Sequence, residues 1–501
     1  MDTMSRSTSQ CFADLIEWAA DPERPWSNGK VGLLGVSYYA GSQWRVAARQ
    51  PKGLCCIVPW EGMSDYYRDR CRHGGILSDA FIDFWWNRQV GNNQYGLAGR
   101  EKRGWGFDTL EGDRSPSDLE ASRNDQRLDN ERNAFYDDDY YASRDYDMGD
   151  IKVPLLSVGN WGGIALHLRG NIEGSSVSIC EVSSYDKLTC VRSGYINAGS
   201  AIKYLRLITG RHDLPFYSKE GVAMQLSFLN AFMKGVDDQG WTTGKAPAVA
   251  YKVRKGNPGY NTAQAESSFE WRTQPAWPIP ATAYTKYWLT SSGGLHRDNS
   301  GPTPCAAKLS YKALGTLDDP QLLEFVTPPF VRETEITGHV VARLSVSATH
   351  EDAHIASPLD MDVFVTLRYI TPTGDEALYT GTVGDPVPIV KGWLRVSLRK
   401  TLSNSPRHKP WHPHREYLSS DAELLQPGKI HTVDVEVWPT NIVVEEGGRL
   451  KLEISSGDTQ GVGLFRHDSP VDRPPQKFAG MNHIHFEEGL ENWLLLPEVG
   501  Q

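Results

Sequence analysis

Apolar positions along the first sixty residues alternate between two periods. Over 9–22, Cys11, Leu15, Ile16, Trp18 and Ala19 share one side of a helix, which Asp21-Pro-Glu-Arg-Pro25 ends. Val31 to Gly35 is an unbroken apolar run, so it predicts a buried strand. Helical spacing resumes through Gln43, Trp44, Val46 and Ala47, and Leu54–Trp60 is a second apolar run bounded by Gly53 and Glu61-Gly62. Helix, strand, helix, strand at this spacing is the α/β pattern.

The pattern changes near Met63. Residues 76–90 predict a helix rich in aromatics (Phe81, Phe84, Trp85, Trp86), and the Asp- and Arg-rich stretch after it carries no strand signal. We read 63–150 as a helical cap inserted into the α/β unit. Ile151–Gly159 returns to strand, Trp161–Glu173 reads as a turn entering a helix, and Tyr204–Thr209 is another strand with His212 just past it. From Pro247 the period becomes two. It runs through Val249, Tyr251, Val253, then Val340, Ala342, Leu344, Val346, then Val363, Val365, Leu367, Tyr369, with a turn at Thr371–Asp375. Short strands between Gly and Pro turns predict a β-sandwich of jelly-roll type. The expected fold class is α/β plus all-β. The expected domains are 1–62 and 151–246 for the α/β unit, 63–150 for the cap and 247–501 for the sandwich. Residues 175–194, rich in Ser and Cys and without a period, are expected to be a disordered insertion.

Composition narrows the function. The 501 residues carry a net charge of −10 with no basic patch, which argues against nucleic acid. No apolar run approaches the ~20 residues that span a bilayer, so no membrane partner is expected. Met1–Gln10 lacks a signal-peptide core. Seven cysteines, an odd number without metal spacing, fit a reduced cytoplasmic setting.

The candidate chemistry starts at Ser37. A strand that rises to Gly35, one intervening residue, a Ser and then a helix form the sharp turn that lifts a nucleophile above a sheet. Gly35 suits that turn because two residues before the nucleophile there is no room for a Cβ. The second Gly of Gly-x-Ser-x-Gly is replaced by Tyr39. Ser37, Glu61, Trp161 and His212 all fall at the carboxyl ends of predicted strands, where open α/β sheets bind ligands. The plainer alternatives are a helix-capping hydroxyl for Ser37 and a solvent-facing loop histidine for His212.

Several stretches together carry a family resemblance. They are Trp26-Ser-Asn-Gly-Lys-Val-Gly-Leu-Leu-Gly-Val-Ser-Tyr-Tyr39, Val153–Trp161, Gly210-Arg-His212, Leu359-Asp-Met-Asp362, Pro427-Gly428, Val437-Trp-Pro-Thr440 and Gly448–Leu452. The chain resembles the X-Pro dipeptidyl-peptidase / cocaine esterase / α-amino-ester hydrolase group, serine hydrolases of the α/β-hydrolase fold. The resemblance implies Ser37 as nucleophile and His212 as general base. It places the acid two residues after the Trp of a Gly-Trp-x-Asp stretch, where this chain has Gly163. Glu61 is therefore the first candidate for the acid, then Asp65, since the acid need only reach the imidazole. Members carry further strands and an oxyanion-hole Tyr ahead of the helix at 9–22. The sheet is thus expected to be amino-terminally incomplete, the strand at 31–35 to show an unpaired edge, and the Tyr38 backbone N–H to be the remaining oxyanion donor. The resemblance also passes from Gly174 directly to Tyr195, which suggests a gene model with a retained intron.

The function expected is hydrolysis of small esters or amides through a Ser-His acyl-enzyme, with no cofactor. Esterase activity is favoured over X-Pro peptidase activity, because no carboxylate can be placed to hold a substrate α-amine. Trp85, Trp86, Trp161 and His167 are candidates for the substrate pocket. His408, His412, His414, His483 and His485 lack carboxylates spaced to complete a metal site, so none is expected. Other classes remain open. One is a catalytically impaired relative acting as a binding or scaffold protein, and another is a carbohydrate-binding sandwich. The sequence leaves the oligomeric state open.

Overall fold

The computed structural model describes residues 3–90, 115–121, 124–175, 198–280, 282–298, 307–350 and 360–500. The expected insertion at 175–194 lies outside them, apart from Ser175. Helix α1 (Arg6–Ala20) leads into strand β1 (Val31–Val36), helix α2 (Tyr38–Ala48) and strand β2 (Leu54–Trp60). Strand β3 (Leu155–Asn160), helix α3 (Leu168–Ser175), strand β4 (Lys203–Ile208), helix α4 (Lys219–Leu229), and strands β5 (Val249–Val253) and β6 (Glu270–Gln274) complete the unit. The period-two stretch at Val249–Val253, expected in the sandwich, instead pairs with β4 in this sheet, because alternation alone does not say which sheet a strand joins. The sheet runs β1-β2-β3-β4-β5-β6, parallel except for β6.

Both faces of the sheet are covered, so its strands are apolar throughout. Ile57 and Leu155 point to Ala13, Ile16 and Trp44 on α1 and α2. Cys56, Val58 and Val158 point the other way, to Phe228 and Trp241. Strand β1 pairs only with β2 among the described residues and forms one edge of the sheet, with Leu34 exposed.

The segment after β2 is mostly short helices, among them Asp79–Trp85, Gln126–Arg132 and Asp139–Ala142. It departs from the expected helix at 76–90 at its start. Ile76–Leu77 instead pairs with Arg72–His73 in a small antiparallel ladder. Gly74 and Gly75, both at positive φ, turn that ladder, and a Cβ on Gly74 would lie 2.1 Å from the Trp393 carbonyl. Packing against a neighbouring strand, which helical periodicity does not register, overrides the helix there.

The carboxy-terminal half is an antiparallel β-sandwich. Its longest strands are β7 (Thr334–His350), β8 (Asp362–Ile370), β9 (Val390–Arg395), β10 (His431–Val444) and β11 (Arg449–Ser455). Strand β7 pairs with β10, and β8 lies between β9 and β11. The period-two residues of β7 and β8 point into one core, Val340, Leu344, Val363 and Leu367 against Val435, Leu452 and Ile454. That core is continuous with the turn after β3 through Trp161, Ile164 and Leu166. No helix among the described residues is long and apolar enough to cross a membrane.

Candidate active site

Ser37 sits at the turn between β1 and α2 with φ 64° and ψ −119°, a conformation that side-chain-bearing residues rarely adopt. Its own N–H is held by the carbonyls of Trp60 and Glu61, at 3.0 and 3.1 Å. The turn explains two sequence features together. A Cβ on Gly35 would lie 2.6 Å from the Cβ of Tyr39, so the glycine before the serine is what makes room for a tyrosine after it. Tyr38 is the first residue of α2, where backbone N–H groups point beyond the helix start along the positive end of its dipole.

Glu61 follows β2 at φ 45° and is fully buried. One carboxylate oxygen, Oε2, lies 2.9 Å from His212 Nδ1. The other accepts from Asn160 Nδ2 at 3.1 Å. Asn160 in turn donates to the Gly210 carbonyl (2.7 Å) and accepts from the Gly162 N–H, so the ends of β2, β3 and β4 are tied through one amide. Burial pushes the Glu61 carboxyl up, and the His212 imidazole beside it works in the opposite direction. A Cβ on Gly163 would lie 3.6 Å from Glu61 Oε2. The Glu61 carboxylate therefore occupies the region that an acidic side chain at position 163 would enter.

His212 lies past β4, its backbone N–H bonded to the carbonyl of Thr382 in the sandwich. With Nδ1 facing the carboxylate, its proton is fixed on that atom and Nε2 keeps a lone pair. Nε2 is buried and has no hydrogen-bond partner among the described residues.

His167 contacts both Ser37 and His212. It is 1% exposed and sits at the entrance to α3. Its Nε2 is 3.2 Å from Ser37 Oγ, and its ring stacks on that of His212 at a centroid distance of 4.8 Å and 13°. Nδ1 of His167 accepts from the Met63 N–H at 3.2 Å. Burial, reinforced by the neighbouring His212, pushes its pKa well below the ordinary histidine value. The backbone N–H can only donate, so a neutral His167 carries its proton on Nε2 and donates it to Ser37 Oγ.

The residues expected near the substrate fall differently. Trp161 is fully buried in the core, its indole N–H bonded to the Lys252 carbonyl, so it is not a pocket wall. It sits at a strand end as expected, but the sandwich packs directly over that end. Trp86 is buried with the Arg127 guanidinium over its ring, and Trp85 stacks on Phe81. A cavity of about 370 Å³ is lined by Asp65, Arg68, Arg144, Arg169, Glu173 and His412, among others. Another of about 380 Å³ lies beside the His212 loop, between Trp60, Gly210, Pro215 and Trp271. Among the described residues, neither is lined by the three tryptophans. Asp65 pairs with Arg68 instead of either histidine.

Among the described residues, one buried group has metal-ligand types, Glu173, His339 and His412. Their facing atoms are 3.7 and 3.9 Å from Glu173 Oε1. The Trp277 indole donates to His339 Nε2 at 3.3 Å, which places the His339 proton on Nδ1, the atom that faces Glu173. That ring presents a donor to the carboxylate, not a lone pair to a cation. His483 instead bridges Ser310 and Thr349, and His485 bonds Ser347.

Together the group offers a hydroxyl on a strained turn, an imidazole with an open lone pair, a buried carboxylate behind it, and a second imidazole that donates to the hydroxyl. The model of the X-Pro dipeptidyl-peptidase (S15) family matches residues 1–172, and that of the X-Pro dipeptidyl-peptidase C-terminal non-catalytic domain matches residues 240–495. A provisionally named serine esterase of Mycobacterium bovis is 24% identical over 92% of this chain and 76% of its own. The cocaine esterase of a Rhodococcus species is 23% identical over 97% of this chain and 83% of its own. A solved structure of a CocE/NonD family hydrolase from Staphylococcus aureus superposes with a TM-score of 0.76, at 23% identity, over all of this chain and 77% of that one.

Proposed function

We propose that this chain, which belongs to the X-Pro dipeptidyl-peptidase / cocaine esterase family of serine hydrolases, hydrolyses small esters through an acyl-enzyme on Ser37, with His212 as general base and Glu61 as its acid. The Ser37 hydroxyl attacks the carbonyl carbon, its proton passes to His212 Nε2, and the carbonyl electron pair moves onto oxygen. The oxyanion collapses, the carbonyl re-forms, and the alkoxide leaves with the proton from His212. Water then repeats the sequence on the acyl group and frees the serine. Glu61 keeps the His212 proton on Nδ1 and stabilises the imidazolium that forms. The Tyr38 N–H, at the start of α2, faces the charge that develops on the carbonyl oxygen.

The observation that carries this reading is the 2.9 Å contact between Glu61 and His212, with Nε2 of the same ring buried and without a hydrogen-bond partner among the described residues, and the ring stacked on the histidine that bonds Ser37 Oγ. That carboxylate also argues against a catalytically impaired scaffold. It gives His212 a buried carboxylate partner although position 163 is glycine. Esters are favoured over X-Pro peptides because Ser37 Oγ meets an imidazole, and among the described residues the candidate carboxylates Glu61 and Asp65 are already engaged by His212 and Arg68. The test is labelling with a fluorophosphonate probe, followed by assay on p-nitrophenyl esters of increasing acyl length. Wild-type protein should label and turn over, and Ser37→Ala should do neither. Wild-type protein that fails to label would overturn the assignment.

A further inference from the structure

One histidine bonds the serine directly and a second stacks on the first, and the hydrogen bonds around them give them different protons. His212 has its proton on Nδ1 and a lone pair on Nε2. For His167 the pattern is reversed. The Met63 N–H occupies Nδ1, so Nε2 carries the proton, 3.2 Å from Ser37 Oγ. His167 is the histidine nearer to the serine by its direct hydrogen bond, yet in this state it has no lone pair with which to take the serine proton.

We infer that His167 is a catalytic hydrogen-bond donor, whose Nε2–H holds Ser37 Oγ in the resting enzyme and turns to the substrate oxyanion as the tetrahedral intermediate forms. This rests on the reading of Ser37 and His212 given above and adds a donor to it. The oxyanion is bonded to the same carbon as Oγ, so the donor passes from one oxygen to the other by a small tilt of the ring. No proton leaves His167 during the cycle. As Oγ bonds to carbon, its lone pairs become poorer acceptors, while the new oxyanion is a far better one. The backbone N–H of Ser37 is already bonded to the Trp60 and Glu61 carbonyls, so it is not the second donor beside Tyr38 N–H.

The surroundings suit a donor that must stay neutral. The ring is sealed from water and stacked face to face on His212. When His212 becomes imidazolium, a second positive charge at 4.8 Å would be repelled, so His167 stays neutral when its N–H is needed. The Met63 contact is what selects the tautomer. It depends on the loop after β2 held by Asn171, which accepts from the Gly62 N–H and donates to the Pro59 carbonyl.

The experiment compares His167→Gln, which keeps an N–H donor, with His167→Leu, which does not, on p-nitrophenyl esters and in the rate of fluorophosphonate labelling. His167→Leu should lower kcat by about 10²–10³-fold with KM changed less than threefold. His167→Gln should recover most of that loss. A His167→Leu enzyme within threefold of wild type, or a Gln variant as impaired as Leu, would overturn the inference. Wild-type protein that neither labels nor turns over ester would instead overturn the assignment of Ser37 and His212. One measurement needs no variant. In wild-type protein labelled with ¹⁵N-histidine, His167 should give the nitrogen shifts of the Nε2-protonated tautomer, and the Nδ1-protonated pattern would refute the role.

Discussion

Replacing Glu61 by Gln tests the least expected part of the site, because shape is kept while the hydrogen-bond polarity is reversed. Asn160 Nδ2 donates to Oε1 of Glu61, so it needs an oxygen there. A glutamine must then give its oxygen to Asn160 and turn its NH₂ toward His212 Nδ1, which the carboxylate now faces at 2.9 Å. The amide donates to Nδ1 and drives the imidazole proton to Nε2, the atom that must accept from Ser37. The same reversal in the trypsin-type triad lowers kcat by ~10⁴, which is about 5 kcal/mol of transition-state stabilisation. We expect Glu61→Gln to lose about that much in kcat on a p-nitrophenyl ester, with KM little changed and the fold intact by circular dichroism. A second arm tests where the acid comes from. A Cβ at position 163 would lie 3.6 Å from Glu61 Oε2 and 3.1 Å from the Asn160 carbonyl, tight but passable. Glu61→Ala with Gly163→Asp should therefore regain at least tenfold over Glu61→Ala alone. A Glu61→Gln enzyme within tenfold of wild type would refute the role of the carboxylate. A double variant no better than Glu61→Ala would refute the idea that the two positions share one space.

Two further expectations concern stability. Asp472 accepts from Arg72, Arg395 and the Leu77 N–H at 2.7, 2.8 and 3.0 Å, linking the segment after β2 to the sandwich. Burial alone would raise its pKa, but Arg395 and Arg72 outweigh that and hold it far below the usual carboxylate range. Its folded pKa lies below the unfolded value, so its contribution is present at neutral pH and is lost as pH falls through the acid range. Asp472→Asn should cost about 3–5 kcal/mol at pH 7 in urea unfolding, with the gap narrowing below pH 4. Glu173 titrates in the opposite sense, since burial pushes it up to about 8 while Arg169 opposes. The folded state then holds a proton that the unfolded state has released, so wild-type stability should fall between pH 5 and 8. Glu173→Gln should gain on wild type over that range by at most ~1.4 kcal/mol per pH unit, read as a melting-temperature difference that opens with pH. A constant difference would contradict the buried, protonated carboxyl.

What was legible in the sequence was set by local pattern. The apolar runs at β1, β2, β3 and β4 and the period-two stretches of β7 and β8 are properties of neighbouring residues, and the structure shows them as strands. Ser37 was legible for the same reason, because Gly35 and the helix after it lie within a few residues. Glu61 could be proposed because it ends a strand, but its contact with His212 spans 151 positions and depends on strand order. The sequence offers His167 only as a pocket candidate. Its bond to the serine spans 130 positions, and its tautomer is set by a backbone N–H that no side-chain pattern records. Trp161 shows the opposite failure. Its place at a strand end suggested exposure to substrate, but the sandwich packs over that end, which no local pattern could show.

That packing also bears on what the sandwich does for the chemistry. The loop carrying His212 is bonded through its backbone N–H to Thr382, in the hairpin whose strands are Tyr379–Thr380 and Pro386–Val387. The same hairpin presses on the turn after β3. A Cβ on Gly162 would meet the Thr380 carbonyl at 1.9 Å, so glycine is required for the two to approach. Gly162 N–H is bonded to Asn160, and Asn160 to Glu61. From hairpin to base and from hairpin to acid there is thus a short chain of hydrogen bonds and close contacts. Among its described residues the sandwich holds no candidate reacting group, yet it fixes the backbone on which the base and its acid depend. Positioning of this kind is felt in kcat more than in KM, since a base displaced by about 1 Å still permits binding but loses ~10²-fold in rate.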